Sequence, residues 1–569
     1  QAASKRTGEQ RHAQRQRCFT NPCYFLIHKH QYSYVLIPEL GPSMDSSIAS
    51  TLVDVIIVGG GWAGMAAADH LSRANVTFLL LEGTNRTGGR SRAMEFGDPN
   101  VWRGIVERGS NWVSGVAPPN VKKGGAAGVA KGMTHLPYEN PIRALSRRSN
   151  ISTTRIPGSA DGNMSGYDAV FTSSGDVNGD ASGTIRARAD AALDCVNTSW
   201  AREQGLDATV RDGLIDCGWI PHTEEEYAVD WAMSGEDANG LPARNESLKS
   251  FDPDPSYTWW GPDDHFVIDQ NPRGFAAMID TMARHSVPRG DPRVVFDSKV
   301  THIAYGGCGP VNVTTADGRV FRARKEVIST LPLGVLKHHH ASIFAPPLPR
   351  AQAELLAFDS RFVMGNLTHV VVQFNRVWWN DTLFKWIAAN ARSNTTKGGG
   401  GPDGAGPDAA GEFAIWHNMN HASLLPGSHI LLSFLGDPQS SKYEAMPDAE
   451  VKRAVMKRIR LQNPTMTNIP EPSAFFISRH GYDENSFGAY SISLAGWNDT
   501  LHATLVKPLR SCTDRRVRVQ LAGEAMCDNL NGYTHGALQS GRESAARYLF
   551  REGLGPDPKK DGALSLCNF

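Results

Sequence analysis

Three glycines, a glutamate and an arginine are the first residues of this 569-residue chain whose spacing implies chemistry. Gly59, Gly61 and Gly64 stand at G-x-G-x-x-G spacing in DVIIVGGGWAG, directly after the apolar run Val55 to Val58. The first glycine permits a tight turn, the second lets backbone approach a pyrophosphate, and the third lets a helix pack closely on the strand. Met65 to Arg73 read as that helix, and its free N–H groups and dipole favour an anion. A second apolar strand, Val76 to Leu81, ends in Glu82, where a carboxylate can accept hydrogen bonds from ribose hydroxyls. Gly88-Gly89-Arg90 is a tight turn presenting a guanidinium suited to a pyrophosphate.

These residues need a parallel sheet to hold them, and the rest of the chain supplies the strands. Three strands are expected over Arg293 to Val300, Ala304 to Thr315 and Arg319 to Ser329, with Asp317-Gly318 as a hairpin turn. Leu367 to Phe374, Ile415 to His417 and His429 to Phe434 read as further strands, and Pro447 to Gln462 as an amphipathic helix. Residues 120–260 change texture, with helical patterns between Gly/Ser/Asn-rich loops, as in an inserted domain. Asn390 to Gly411 reads as surface loop. The end of the chain gives a strand, a glycine-rich turn with Glu524, and a long helix starting near His535.

Composition narrows the function. Lys+Arg and Asp+Glu number 58 each, so no global field recruits nucleic acid. No apolar stretch approaches the ~20 residues of a membrane span. Residues 1–43 hold no Met and read as an extension, processed or upstream of a start at Met44. None of the eight cysteines has C-x-x-C spacing, which argues against zinc or a redox dithiol, while Cys195 and Cys217 could be bridged. Eleven N-x-S/T sequons, against roughly four by chance, point to a glycosylated, secreted protein, with a cytoplasmic enzyme as the alternative. Asn75, beside a core strand, is expected to be unused.

Four ordered stretches together carry a resemblance. They are VIIVGGGWAG with Glu82 and GGR, ERGSNWVSG, DDHFVIDQNPRGF, and LAGEAMCDNLNGYTHGALQSG. Over residues 52–550 the chain resembles the flavin-containing amine oxidases, the polyamine oxidase branch most closely. The resemblance implies an α/β protein with an FAD-binding Rossmann-like (GR2-type) domain built from separated segments. It also implies an α+β substrate-binding domain with a six-stranded mixed sheet flanked by helices. The expected division is extension 1–50; FAD domain 51–135, 264–340 and 486–553; substrate domain 136–263 and 341–485; tail 554–569. The expected reaction is oxidation of an amine C–N bond by hydride transfer to flavin N5, with O2 as acceptor and H2O2 as product.

Residue by residue, the resemblance assigns Glu82 to the ribose, Arg90 to the pyrophosphate and Val300 to the adenine. Gly109, Asn111 and Trp112 would lie along the flavin, and Glu524 near the ribityl chain, with Tyr533 and Thr534 opening the last helix. Tyr490 and Tyr533 match the aromatic pair that sandwiches the amine. Cys527 is not in an attachment context, so FAD is expected to be non-covalent. Two positions depart from the family. His369 stands where a lysine usually holds a water, and it would titrate near pH ~6.5 unless its surroundings shift it, so its charge is not guaranteed as a lysine's is. Ser114 replaces the acid or histidine that engages a cationic substrate, and Glu236 and Asp237 lie near where a second acid belongs. The alternatives are an L-amino-acid oxidase, which needs an arginine clamp, and a catalytically weak FAD-binding protein.

Overall fold

The computed structural model describes residues 52–116, 139–155, parts of 169–248, Trp260, 263–388, 412–560 and Cys567. The N-terminal extension, the loop 391–411, Glu236, Asp237 and the sequons at Asn163, Asn197 and Asn394 lie outside the described residues.

The Leu52–Val58 strand sits inside a nine-stranded sheet, parallel to Phe78–Leu81 on one side and Val320–Ser329 on the other. Its apolar run is buried on both faces, as a central parallel strand requires. One face packs on the helices Trp62–Arg73 and Thr534–Arg551. Those helices approach so closely that a Cβ on Gly541 would stand 2.0 Å from the Ala63 carbonyl oxygen. The start of the first helix is thereby pressed against the last helix two turns in from Thr534.

The strand expectations hold with two corrections. Arg293 to Val300 is not one strand, because Asp297 adopts φ 49° and breaks it between Val294–Val295 and Val300–Ala304. Ala304 to Thr315 is likewise interrupted by the Gly306–Gly309 loop, so the second strand is Val311–Thr315, antiparallel to Val300–Ala304. The first helix starts at Trp62 rather than Met65.

The second sheet has seven strands rather than six, because the two-residue strand Gly175–Asp176 pairs with Ala169–Thr172 at its edge. Thr368–Gln373 lies one strand in from an edge, between Ala474–Ile477 at that edge and Ile430–Leu435, with Ile415–Asn418 beyond the latter. Val370 and Val372 point back onto Val451, Val455 and Ile459 of the helix Asp448–Gln462. Val371, Leu432 and Phe434 point forward, packing with Phe96, Trp102 and Trp112. Gln373 locks the two parts together, donating to the Trp102 and Ser428 carbonyls and accepting from the Asp98 N–H.

Cys195 and Cys217 are bridged, tying the helix Asp180–Cys195 to the end of Val210–Asp216. Cys527 is bridged to Cys567, and Cys308 and Cys512 are also disulfide-bonded. Among the described residues no cysteine is free, and no helix is long and apolar enough to cross a membrane. Asn75, Asn85, Asn150, Asn245, Asn312, Asn380 and Asn498 are exposed. Asn75 sits at φ 55° in the turn after the first helix, facing solvent, which overturns the expectation that its strand would hide it. The buried sequon is instead Asn366.

Candidate active site

The glycine turn divides its labour as the spacing predicts. Gly59 holds φ 100°, and a Cβ there would meet Thr330 Oγ1 at 2.6 Å. A Cβ on Gly64 would stand 1.8 Å from the Gly59 carbonyl oxygen, so the protein itself forbids one. Gly61 differs: its nearest neighbour would be Gly89 Cα at 3.8 Å, and no side chain caps the helix there. Nothing in the protein demands that glycine; open space beside a helix N-terminus does. Glu82 is buried at the strand end and accepts from Gly60 N–H at 2.6 Å and from Thr84 N–H and Oγ1. Val300 opens its strand nearby, since Ser298 N–H reaches the Glu82 carbonyl.

Arg90 joins three segments. Its Nη1 donates to Glu524 Oε1 at 2.9 Å and to the Ala489 carbonyl at 2.8 Å. Glu524 Oε2 accepts in turn from the Ser491 hydroxyl and the Gly532 N–H. Gly109 presses on the arginine backbone, where a Cβ would lie 1.9 Å from the Arg90 carbonyl oxygen. Asn111 is buried, yet its Oδ1 has no hydrogen-bond partner. An orphaned acceptor, an unblocked glycine and the helix N-terminus that follows it fit a bound dinucleotide with a planar ring. Thr534 begins the last helix, and Tyr533 is its N-cap without a side-chain cap.

Tyr490 lies against the backbone of the loop that leads into Tyr533. A Cβ on Gly532, the residue before Tyr533, would lie 3.6 Å from Tyr490 Cδ2. Tyr533 stacks on His535 at 5.0 Å, and His535 meets Trp260 edge to face at 5.3 Å. Tyr490 packs into the apolar cluster that includes Trp112 and Phe434.

His369 lies on the Thr368–Gln373 strand of the second sheet, edge to face with Phe434 at 4.8 Å and 6.2 Å from His480. Burial, with His480 nearby, pushes its pKa down to about 3, although a hydrogen bond to the Glu107 backbone opposes the shift. The surroundings thus do move it away from neutrality: desolvation keeps this imidazole uncharged. Its Nδ1 has no partner, so the Glu107 bond falls on Nε2 and Nδ1 presents a lone pair. Ser114 offers no charge, but the neighbouring strand does: Asp264 Oδ1 accepts from Gly115 N–H at 3.2 Å, one residue away. Asp264 was within the quoted DDHFV stretch, and strand pairing against Trp112–Val116 is what brings it to Ser114.

The family model for flavin containing amine oxidoreductase matches residues 234–549. The chain belongs to that family. An NAD(P)-binding Rossmann-like domain matches residues 57–123, around the glycine turn of this amine oxidoreductase. Curated relatives include Polyamine oxidase 7 of Oryza sativa subsp. japonica, 25% identical over 86% of this chain and 93% of that protein. Polyamine oxidase 1 of Zea mays is 26% identical over 90% of this chain and 93% of that protein. Wild-type putrescine oxidase bound to putrescine has the same fold, with TM-score 0.60 at 18% identity, covering 88% of this chain and all of that one. This amine oxidoreductase is an FAD-dependent enzyme that oxidises amines.

Proposed function

We propose that this amine oxidase acts on small amines of the polyamine type, with O2 as electron acceptor and H2O2 as product. Bound FAD supplies the hydride acceptor; the protein's part is to position the amine and control water and charge. Gly61 and the N-terminus of the first helix would receive the pyrophosphate, Glu82 the ribose, and Asn111 Oδ1 and the Gly109 backbone the ring system. Tyr490 and Tyr533 flank the amine and exclude water, which favours the unprotonated nitrogen. Asp264 attracts the cationic end of the substrate in place of the residue missing at Ser114. His369, uncharged, holds a water as a hydrogen-bond acceptor at Nδ1. The carrying observation is that Tyr490 lies against the Gly532 backbone, one residue before Tyr533, beside the Arg90–Glu524 pair.

An L-amino-acid oxidase would need an arginine for the substrate carboxylate. Arg90, next to the Tyr490 strand, is held by Glu524 and the Ala489 carbonyl and does not serve that role. The Cys527–Cys567 bridge removes the one thiol near the site, in keeping with non-covalent FAD. Seven exposed sequons and the pairing of every cysteine among the described residues support a glycosylated protein of an oxidising, secretory route. Peroxide release from purified holoenzyme over a panel of monoamines, diamines, polyamines and amino acids tests the reading. Turnover confined to amino acids, or absent throughout, would overturn it.

A further inference from the structure

The front face of the seven-stranded sheet carries a second imidazole that the reaction above leaves unused. His417 pairs across the ladder with Leu432, while His369 pairs with Phe434. Leu432 and Phe434 are two residues apart on one strand, so all four side chains share a face. The Phe434 ring lies between the imidazoles, 4.8 Å from His369 and 5.2 Å from His417, and 5.1 Å from Trp112. Two strand spacings, about 10 Å, separate the histidine strands.

His417 is 8% exposed, and its Nδ1 has no hydrogen-bond partner. In the neutral ring with its proton on Nε2, Nδ1 presents a lone pair. Burial and the Lys385 charge keep the ring neutral. A buried acceptor with no donor costs about 1–3 kcal/mol, a cost that is removed when a donor arrives. Phe384, 5.9 Å from His417, and Phe434 give the approach apolar walls suited to a methylene chain.

We propose that His417 determines specificity: its Nδ1 accepts a hydrogen bond from an N–H donor at the end of the substrate remote from the reacting carbon. The inference rests on the amine oxidase reading above. The donor is a second amine or the amide N–H of an acylated one, and the test separates these sources.

Holoenzyme and a His417→Phe variant are compared with three probes of equal carbon count: an alkylamine, the terminal diamine, and the diamine acylated at one end. Anaerobic flavin reduction by any probe in the wild type establishes the amine oxidase reading independently. The variant should lose roughly tenfold in KM or binding constant for the diamine, the acylated diamine or both. Its kcat, and its affinity for the alkylamine, should stay unchanged. His417→Gln, which keeps an acceptor, should recover part of the loss. Equal effects on all three probes, or on none, would overturn the proposal and leave His417 a packed residue, with a water on Nδ1.

Discussion

Arg90 and Glu524, 434 residues apart, meet at 2.9 Å, with the glutamate side chain 5% exposed. The pair closes a ring of chain segments: the glycine turn, the Tyr490 strand through Ala489, and the last loop through Gly532. It is therefore a fastening between pieces of the cofactor site that the sequence holds far apart.

Removing one partner strands a buried charge, which costs about 3 kcal/mol or more. Arg90→Ala should lower the melting temperature and weaken FAD binding at least tenfold, and Arg90→Lys should recover only part. Thermal melts of apo and holo protein, with fluorescence titration of FAD, measure both. Unchanged FAD affinity in Arg90→Ala would reduce the pair to surface decoration.

The glycines separate folding from cofactor binding. Gly61→Val should leave the apo protein folded and abolish flavin retention, because its Cβ enters open space. Gly64→Ala should prevent folding, because its Cβ would collide with the Gly59 carbonyl. Circular dichroism and flavin content of the two variants decide; loss of fold in Gly61→Val would contradict the assignment.

His369 makes stability depend on acid. Its folded pKa is pushed down to about 3, below the ~6.5 of an unfolded histidine. The unfolded chain thus takes up the proton first, so stability is full above pH ~6.5 and is lost as pH falls toward 3. At pH ~5 the effect is about 2 kcal/mol for this histidine. In His369→Phe the stability gap between pH ~5 and pH ~7.5 should narrow by that amount, as denaturant melts would register. Reoxidation rates should show no step near pH 6.5 from this residue, and such a step, lost in the variant, would refute its neutrality.

The glycine turn, Glu82 and the last helix were legible in the sequence because each is a local pattern with a fixed geometric demand, whereas the tyrosine pair came from the family resemblance. His369 was legible as a position with its charge left open, since its spacing says nothing of the burial that Phe434 and the Glu107 backbone impose. Asp264 and His417 were not singled out at all. Both become functional only through cross-strand pairing, Asp264 beside Ser114 and His417 beside Phe434, and single-sequence periodicity does not carry that register. Asp297 ended a strand through its backbone conformation rather than its composition.

Glycan mapping tests the proposed route. Protein secreted from a eukaryotic host, deglycosylated in heavy-oxygen water, should carry the label at several of Asn85, Asn150, Asn245, Asn312 and Asn380. The buried Asn366 should carry none. Absence of label everywhere would return the enzyme to the cytoplasm.

The most direct test of the central claim is anaerobic mixing of yellow holoenzyme with a polyamine in a stopped-flow spectrometer. The oxidised-flavin absorbance should bleach in one turnover, return on admitting O2, and yield one equivalent of peroxide per reduced flavin. Tyr490→Ala and Tyr533→Ala should slow the bleaching while retaining FAD. A flavin that keeps its absorbance in the presence of primary, secondary and polyamine substrates alike would contradict the account.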